Sequence, residues 1–386
     1  PHPCYIPENE FRKLRTMIRM YRRVAGVGLA LTMLVAGCGH SSSTSQGPAT
    51  SSTPVPSVAT SSTRAASATS QAARDLPDPH TLRGLTEVPE LPDPKPVEGS
   101  SAQKLPVTVT DVEGNKVTIK STSRILALDL YGTLSRTLIG LGLGDKIVGR
   151  TVSSTEKQLH DRPVVTENGH VLNVEAVAGL KPSVIIADRS VGPKEALDQL
   201  RKSGIPVVLV DPHRSVGSTP QLIRTIADAV GKPDAGEALV KRTQEQIDQA
   251  KKQIAAWKPA KPMRVAFLYV RGNAGVFFIL GSENGASELI QGVGADDVAS
   301  DKGITTLVPA NAESLVSINP DAIFVMRDGL ASTGGMKGLL ARAGVANTTA
   351  GRKQRVISIP DGISLSFGPQ TGEVLTAVAK ALYGVK

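Results

Sequence analysis

The sequence holds a tyrosine and an arginine two residues apart, Tyr269 and Arg271, at the end of an apolar run (264–270) with the composition of a buried strand. A deprotonated tyrosine is a hard anionic oxygen donor that suits ferric iron. A neighbouring guanidinium favours this form through its charge and hydrogen bonds. Because open α/β sheets present binding groups at the carboxyl ends of their strands, we expect the pair to face a ligand. Without the arginine, Tyr269 would be interpreted as a half-buried ring at a strand end.

Three histidines are candidates for a second ligating group, since imidazole is the commonest metal ligand among side chains. His170 follows Asn-Gly in a loop, where the plain interpretation is an exposed turn with a solvated ring. His213 follows the apolar run 206–211, and His160 lies in the same half of the chain. The residues alone do not decide which of the three histidines is the second ligating group.

Three further side chains follow strand candidates and could line the same site. Tyr131 follows the first strand candidate, much as Tyr269 ends a later one, although a packing role is as good an interpretation. Met326 offers a soft thioether but is of a residue type that usually fills cores. Arg189 could pair with a ligand carboxylate in bidentate fashion, whereas an exposed surface arginine is the commoner case.

The elements that must position these residues are short β-branched runs that alternate with helical patterns, typical of βα units on mainly parallel sheets. The strand candidates are 125–130, 146–150, 183–188 and 206–211, then 264–270, 276–280, 321–326 and 355–360. Between the two groups, residues 220–257 contain two helical stretches, the second from about 234 to 257. The sequence also predicts a hairpin of 107–110 with 116–119 and a last helix near 371–383. We predict an α/β fold of two Rossmann-like lobes joined by one long helix, with a ligand cleft between them.

Two segments 138 residues apart, 173–185 and 311–323, share a pattern. In each, an asparagine and then a glutamate (Glu175 and Glu313) begin a short helix that precedes a proline and a buried strand. Equivalent positions in two βα series favour a duplicated architecture. Acidic residues on surface helices are usually only solvated, but the matched placement makes both glutamates candidates for contact with a partner.

The N-terminal region has the layout of a lipoprotein signal peptide over residues 1–37, with a basic segment, a short apolar stretch (24–36) and small residues. The letters LVAGC, which end at Cys38, resemble the lipobox of bacterial lipoproteins. We therefore expect a lipid on Cys38 and a translation start at Met17 or Met20. A membrane-spanning anchor is the alternative, which the shortness of the apolar stretch disfavours.

Composition excludes several other functions. Six basic and two acidic side chains within 1–37 reduce the net charge of +9 to +5 for the remainder, and aromatic residues make up only 3%. The chain therefore lacks the basic, aromatic surface of a nucleic-acid-binding protein. It has no cysteine after Cys38, so a disulfide or thiolate metal site in the folded part is excluded.

The predicted domains follow from these patterns. Residues 38–104 are expected to form a lipidated, Ser/Thr/Pro-rich disordered tether, whose last part is extended along the surface. An N-terminal lobe is predicted at 105–218, linking helices at 219–260 and a C-terminal lobe at 261–386.

A lipobox, a tether and two lobes around one long helix resemble the substrate-binding lipoproteins of ABC importers for iron complexes and cobalamin. The resemblance covers residues 105–386. Within this class, the stretches 168–173, 269–272 and 367–369 are similar to actinobacterial haemin-binding lipoproteins of the HmuT type. The resemblance implies a binding protein rather than an enzyme.

By that resemblance, the ligand is ferric haem b, bound between the lobes with its iron held by His170 and Tyr269 and with Arg271 beside the tyrosine. The pocket residues implied with them are Tyr131, Arg189 and Met326. Glu175 and Glu313 are implied to dock on arginines of the two permease subunits, where complementary charge sets orientation and association rate.

The function expected from the sequence is capture of ferric haem from haem donor proteins and its delivery to an ABC permease and ATPase. The protein is expected to be a monomer, lipid-anchored on the extracytoplasmic face of the cell membrane. A ferric siderophore or cobalamin is the alternative cargo, and a haem enzyme or a structural lipoprotein is a further alternative. The sequence contains no Gly-x-Ser-x-Gly, His-Glu-x-x-His or phosphate-binding Gly-x-x-x-x-Gly-Lys-Ser/Thr motif, so hydrolase and nucleotide chemistry lack support.

Overall fold

The computed structural model describes residues 76–98, 103–167, 169–272 and 275–386. The predicted signal peptide, Cys38 and the first part of the predicted tether lie outside these residues. Within the described ranges, no helix combines the length and the apolar character needed to cross a membrane.

Short strands and helices alternate along the described chain. The strands are β1 Leu85–Glu87, β2 Val107–Thr110, β3 Lys116–Ile119, β4 Ile125–Leu128, β5 Ile147–Gly149, β6 Thr166–Glu167, β7 Val171–Leu172, β8 Val184–Ala187, β9 Val207–Leu209, β10 Arg264–Arg271, β11 Val276–Ile279, β12 Asp296–Asp297, β13 Val308–Pro309, β14 Ala322–Met326 and β15 Val356–Ile359. The α-helices are α1 Thr133–Gly140, α2 Val174–Gly179, α3 Lys194–Lys202, α4 Thr219–Ala229, α5 Pro233–Trp257, α6 Ala286–Gly292, α7 Ala312–Ile318, α8 Arg327–Ser332, α9 Gly335–Leu340, α10 Thr349–Lys353, α11 Asp361–Ser364 and α12 Thr371–Tyr383.

The first lobe is built on a four-stranded parallel sheet in the order β5-β4-β8-β9. Every residue of β4, β8 and β9 is buried, as expected for a parallel sheet covered on both faces. Alternate residues of β4 enter different cores, with Ile125 and Ala127 in one and Leu126 and Leu128 in the other. The predicted β-strands of this half are confirmed.

The second lobe is built on a seven-stranded mixed sheet in the order β1-β15-β14-β10-β11-β13, with β12 also paired to β10. Strands β1, β15, β14 and β10 run parallel, whereas β11 returns antiparallel to β10 and β13 antiparallel to β11. The predicted strand 276–280 therefore exists, but it forms a hairpin with β10 instead of a βα unit.

The long helix α5, of 25 residues, confirms the helix predicted from about 234 to 257. It begins with Pro233, which suits the first helical turn because a proline lacks the N–H that would have no partner there. Helix α12 packs closely on it: a Cβ placed on Gly372 would come within 2.5 Å of the Gln246 carbonyl oxygen. Only glycine permits this approach.

The predicted disordered tether over 38–104 is wrong for residues 76–98. Strand β1 in this segment pairs in parallel with β15 of the second lobe. Asp93 accepts two backbone hydrogen bonds from the first lobe, of 2.8 and 2.9 Å, and Val97 joins the first lobe's core. This packing was not predicted, because a proline-rich composition suggests an unpacked chain. The valines between the prolines are nevertheless buried.

Candidate functional site

Tyr269 and Arg271 lie on the same face of β10, because side chains two residues apart on a strand point to the same side. Parallel pairing with β14 ends at Leu268, and the strand then continues in the hairpin with β11. The guanidinium carbon of Arg271 lies 5.0 Å from the centroid of the Tyr269 ring, within cation–π range. Both side chains are buried, so the predicted pair is brought together.

Asp361 and Met326, on neighbouring elements, both contact the Arg271 guanidinium. Its Nη2 donates to Asp361 Oδ1 at 2.6 Å and lies 3.3 Å from Met326 Sδ. Burial raises the pKa of Asp361, and the charge of Arg271 acts against this rise. Met326, predicted to line the pocket, thus contacts the arginine of the Tyr–Arg pair.

His170 lies in the turn between β6 and β7, which form a hairpin. Gly169 before it has φ +89°, in the left-handed region that glycine accepts without strain. The His170 carbonyl accepts a 2.9 Å hydrogen bond from the Gly192 N–H, which fixes the backbone. The residue is only 8% exposed, so the interpretation as an exposed turn residue with a solvated ring is wrong.

The rival histidines differ from His170 in exposure. The His160 side chain is 84% exposed and its Nδ1 lies 4.0 Å from Asp161. His213 is exposed as well, and its backbone N–H donates to Asp211. The structure describes all three candidate histidines, and of these only His170 is buried.

Tyr131 forms a second Tyr–Arg pair, in the first lobe, with an arginine that sequence reasoning missed. The guanidinium carbon of Arg214 lies 5.5 Å from the centroid of the Tyr131 ring. Arg214 is buried and forms ion pairs with Asp188 and, at 3.6 Å, with Asp129. Thr133 completes the contacts by donating its N–H to Asp129 at 2.9 Å.

Burial of the two carboxylates changes the titration of this cluster. Burial raises the pKa of Asp188 to about 6 against the opposing effect of Arg214, and burial also raises that of Asp129. Desolvation, followed by the charge of Asp188, raises the pKa of Tyr131 to about 12. One signal could have found the cluster: Asp129 and Asp188 directly follow the buried strands β4 and β8, at the sheet edge where ligand-binding groups collect.

Arg189 is placed in a different network from the predicted pocket. Its guanidinium forms a bidentate pair with Glu113, with both bonds at 2.8 Å, and a further bond of 3.1 Å to Asp198. Two carboxylates of the first lobe therefore occupy the donors that were expected to meet a ligand carboxylate.

The repeated segments have the same local structure in both lobes. An asparagine side chain caps α2 and α7, at Asn173 and Asn311, and the next residue but one is an exposed glutamate in the first turn. Each helix is followed by a residue with positive φ, +47° at Lys181 and +35° at Asn319, before the proline and the buried strand. Glu175 and Glu313 thus occupy matching exposed positions.

The lobes touch each other beside Asp361. A Cβ on Gly362 would overlap the Thr155 hydroxyl of the first lobe. Nearby, Arg136 of the first lobe donates to Gln370 at 2.7 Å. The two lobes are therefore in direct contact at this point.

Comparison with known proteins identifies the family to which this fold belongs. Residues 130–362, more than half of the chain, match the family model described as periplasmic binding protein. The chain belongs to the periplasmic binding protein family. Its relatives include the uncharacterized ABC transporter substrate-binding lipoprotein YvrC of Bacillus subtilis (strain 168), 27% identical over 280 residues, 72% of this chain and 86% of YvrC. A cobalamin-binding protein of Halobacterium salinarum is 24% identical over 299 residues, 76% of this chain and 78% of that protein.

Among solved structures of the family, the heme binding protein HmuT is similar with 49% sequence identity and a TM-score of 0.78. The match covers 80% of this chain and 100% of that chain. HmuT structures also include variants in which a histidine, a tyrosine or an arginine is replaced by alanine. The spacings between these three HmuT positions, 99 residues and then two, equal those of His170, Tyr269 and Arg271.

Proposed function

We propose that this chain is an extracytoplasmic binding protein that captures ferric haem b and delivers it to the permease of an ABC importer. The observation that carries the proposal is the buried Tyr269–Arg271 pair in a family member that shares 49% identity with HmuT. The matching spacing of His170, Tyr269 and Arg271 with the HmuT positions supports the same site.

The donor set fits haem iron. Tyr269 would supply an anionic oxygen, the hard donor that ferric iron prefers, and His170 a neutral imidazole nitrogen. The positive charge of Arg271 beside the ring favours the deprotonated oxygen and so strengthens its attraction for the iron. With both residues bound to the iron, peroxide would find no open site there, and the protein would bind its cargo without turning it over.

Tyr131 has a different part in this proposal. A phenol whose pKa is raised to about 12 stays protonated at neutral pH, so it can donate a hydrogen bond to an acidic group of the cargo. Haem carries propionate carboxylates, which are suitable acceptors. Arg189 is left out of the pocket, because Glu113 and Asp198 already bind its guanidinium.

The proposed partners are the two permease subunits, which in turn work with an ATPase. Glu175 and Glu313 stand on matching exposed first turns of α2 and α7, one on each lobe, and are proposed to meet basic side chains of the permease. A lipid on Cys38 would keep the monomeric protein at the outer face of the cell membrane, where haem donor proteins can reach it.

Competition between cargoes tests the proposal. Purified protein is titrated with ferric haem, cyanocobalamin and a ferric siderophore, each followed by its own visible absorbance. We expect saturable binding of haem that an excess of the other two does not displace. Cobalamin is the second candidate because of the cobalamin-binding relative. Tighter binding of cobalamin or siderophore than of haem would contradict the proposal.

A further inference from the structure

Asp361 links three elements around the Tyr269–Arg271 pair. It is the first residue of α11, and its Oδ1 accepts the 2.6 Å bond from Arg271 on β10. Its other oxygen, Oδ2, accepts a 2.9 Å bond from the backbone N–H of Asp328 in α8. With both oxygens engaged by different elements, the carboxylate has a fixed orientation.

Two further residues pack closely against the guanidinium in this position. Gly329 of α8 leaves room for it: a Cβ at that position would overlap Arg271 Nη1 and come within 2.5 Å of the Val270 carbonyl oxygen. Met326 Sδ contacts Nη2, the same nitrogen that Asp361 binds. A thioether is a weak acceptor, so the carboxylate is the principal anchor of the charge.

We propose that Asp361 is a positioning residue for cargo binding, which holds the Arg271 guanidinium against the Tyr269 ring. This inference rests on the proposed haem function. It adds the residue that keeps the Arg271 guanidinium in a fixed position beside the ring. Without the carboxylate, the guanidinium would lose this buried ion pair and the 2.6 Å bond that holds its Nη2, and could turn away from the ring. Its effect on the tyrosine oxygen would then be lost, although Arg271 itself is unchanged.

A double-mutant cycle separates positioning from general structural support. Ferric haem is loaded on the wild type, Asp361→Asn, Arg271→Ala and the double variant, and its transfer to excess apomyoglobin is followed by absorbance. Asn keeps the size of Asp but offers one oxygen and one NH₂ group, so it cannot accept both bonds. We expect haem loss about tenfold faster for Asp361→Asn than for the wild type. In the Arg271→Ala background, the same change should have no further effect.

Two other variants serve as controls. Asp361→Glu keeps the charge and should restore a large part of the slow haem loss. Asp111→Asn removes a buried carboxylate that pairs with Arg201 at 2.9 Å, away from the Tyr–Arg pairs, and should lower thermal stability without faster haem loss.

Equal acceleration by Asp361→Asn in both backgrounds would overturn the proposal, since the residue would then act independently of Arg271. No acceleration in the wild-type background would overturn it as well. Tyr269→Phe distinguishes these results from failure of the proposed function: if that change leaves haem loss and the haem spectrum unaltered, the iron site itself is wrong.

Discussion

The two lobes each hold an arginine against a tyrosine ring, but they surround the arginine differently. In the first lobe, Arg214 lies 5.5 Å from the Tyr131 ring and pairs with two buried carboxylates. In the second lobe, the guanidinium carbon of Arg271 lies 5.0 Å from the centroid of the Tyr269 ring, and the guanidinium pairs with Asp361, which is less buried. The stacking is similar, whereas the balance of charge is not.

We propose that this difference gives the two tyrosines different functions. The Arg214 cluster is negative when both carboxylates are ionised. Desolvation, followed by the charge of Asp188, raises the pKa of Tyr131 to about 12, so this side chain stays a phenol. The Arg271–Asp361 pair is neutral as a unit, with the guanidinium stacked on the ring. In the proposed site, Tyr269 with Arg271 stacked on its ring ligates the iron, and Tyr131 donates a hydrogen bond to the cargo.

Removal of each arginine in turn should give the largest difference, which is a difference in the free energy of unfolding. Arg214→Met leaves two fully buried carboxylates without their counter-charge, and we expect it to lower the free energy of unfolding by about 3–5 kcal/mol. Arg271→Met leaves Asp361 without this ion pair, but the Asp361 side chain is 20% exposed, so the loss of stability should be clearly smaller. Urea unfolding of both apo variants measures this. Equal losses would contradict the described difference between the clusters.

Removal of the phenol oxygen from each tyrosine should show that the two contribute differently to cargo binding. We expect Tyr269→Phe to weaken ferric haem binding on the order of 100-fold, since it removes an iron donor. Tyr131→Phe loses one hydrogen-bond donor and should weaken binding by about three- to tenfold. Both affinities follow from absorbance titrations. A larger effect at Tyr131 would reverse the assignment.

The first-lobe cluster also predicts a pH dependence of stability. The pKa of Asp188 is about 6 in the folded protein against an ordinary 3.8, so the folded state binds more protons between these values. The free energy of unfolding of the wild type, relative to Asp188→Asn, should therefore fall by about 2 kcal/mol as the pH rises from 4 to 6.5. A relative stability that rises over this range would show that the carboxylate is stabilised in its charged form.

The smallest expected effects concern the matched glutamates. Glu175→Gln and Glu313→Gln should each slow association with the reconstituted permease by about two- to threefold at low salt, and less at high salt. Glu195→Gln is the matched control, because Glu195 is likewise an exposed glutamate in the first turn of a helix, α3. If the control slows association as much as the other two, then the effect comes from net charge and not from docking.

Elements that depend on local sequence were predictable. The hairpin of β2 and β3 has the predicted bounds, because Gly114 between the strands accepts the positive φ that the turn requires. The long helix α5 followed from a stretch of helix formers, and the strands from apolar β-branched runs. The spacing of Tyr269 and Arg271 likewise placed both on one face of a strand.

Contacts between distant residues were not predictable in the same way. Arg271 and Asp361 are 90 positions apart, and Arg214 and Asp188 are 26 apart, so no local pattern joins them. The hydrogen bond to the His170 carbonyl likewise comes from Gly192, in another part of the lobe. Residues 76–98 look unstructured by composition because their order comes from contacts with both lobes and not from their own propensity.

The most direct test of the account is a titration of ferric haem into the His170→Ala/Tyr269→Phe double variant, followed by the Soret absorbance. We expect saturable binding by the wild type and by a His160→Ala/His213→Ala control. In the first double variant, binding should be lost or reduced to a weak, spectrally altered form. Binding with unchanged affinity and an unchanged spectrum in that variant would contradict the assignment of the iron to His170 and Tyr269.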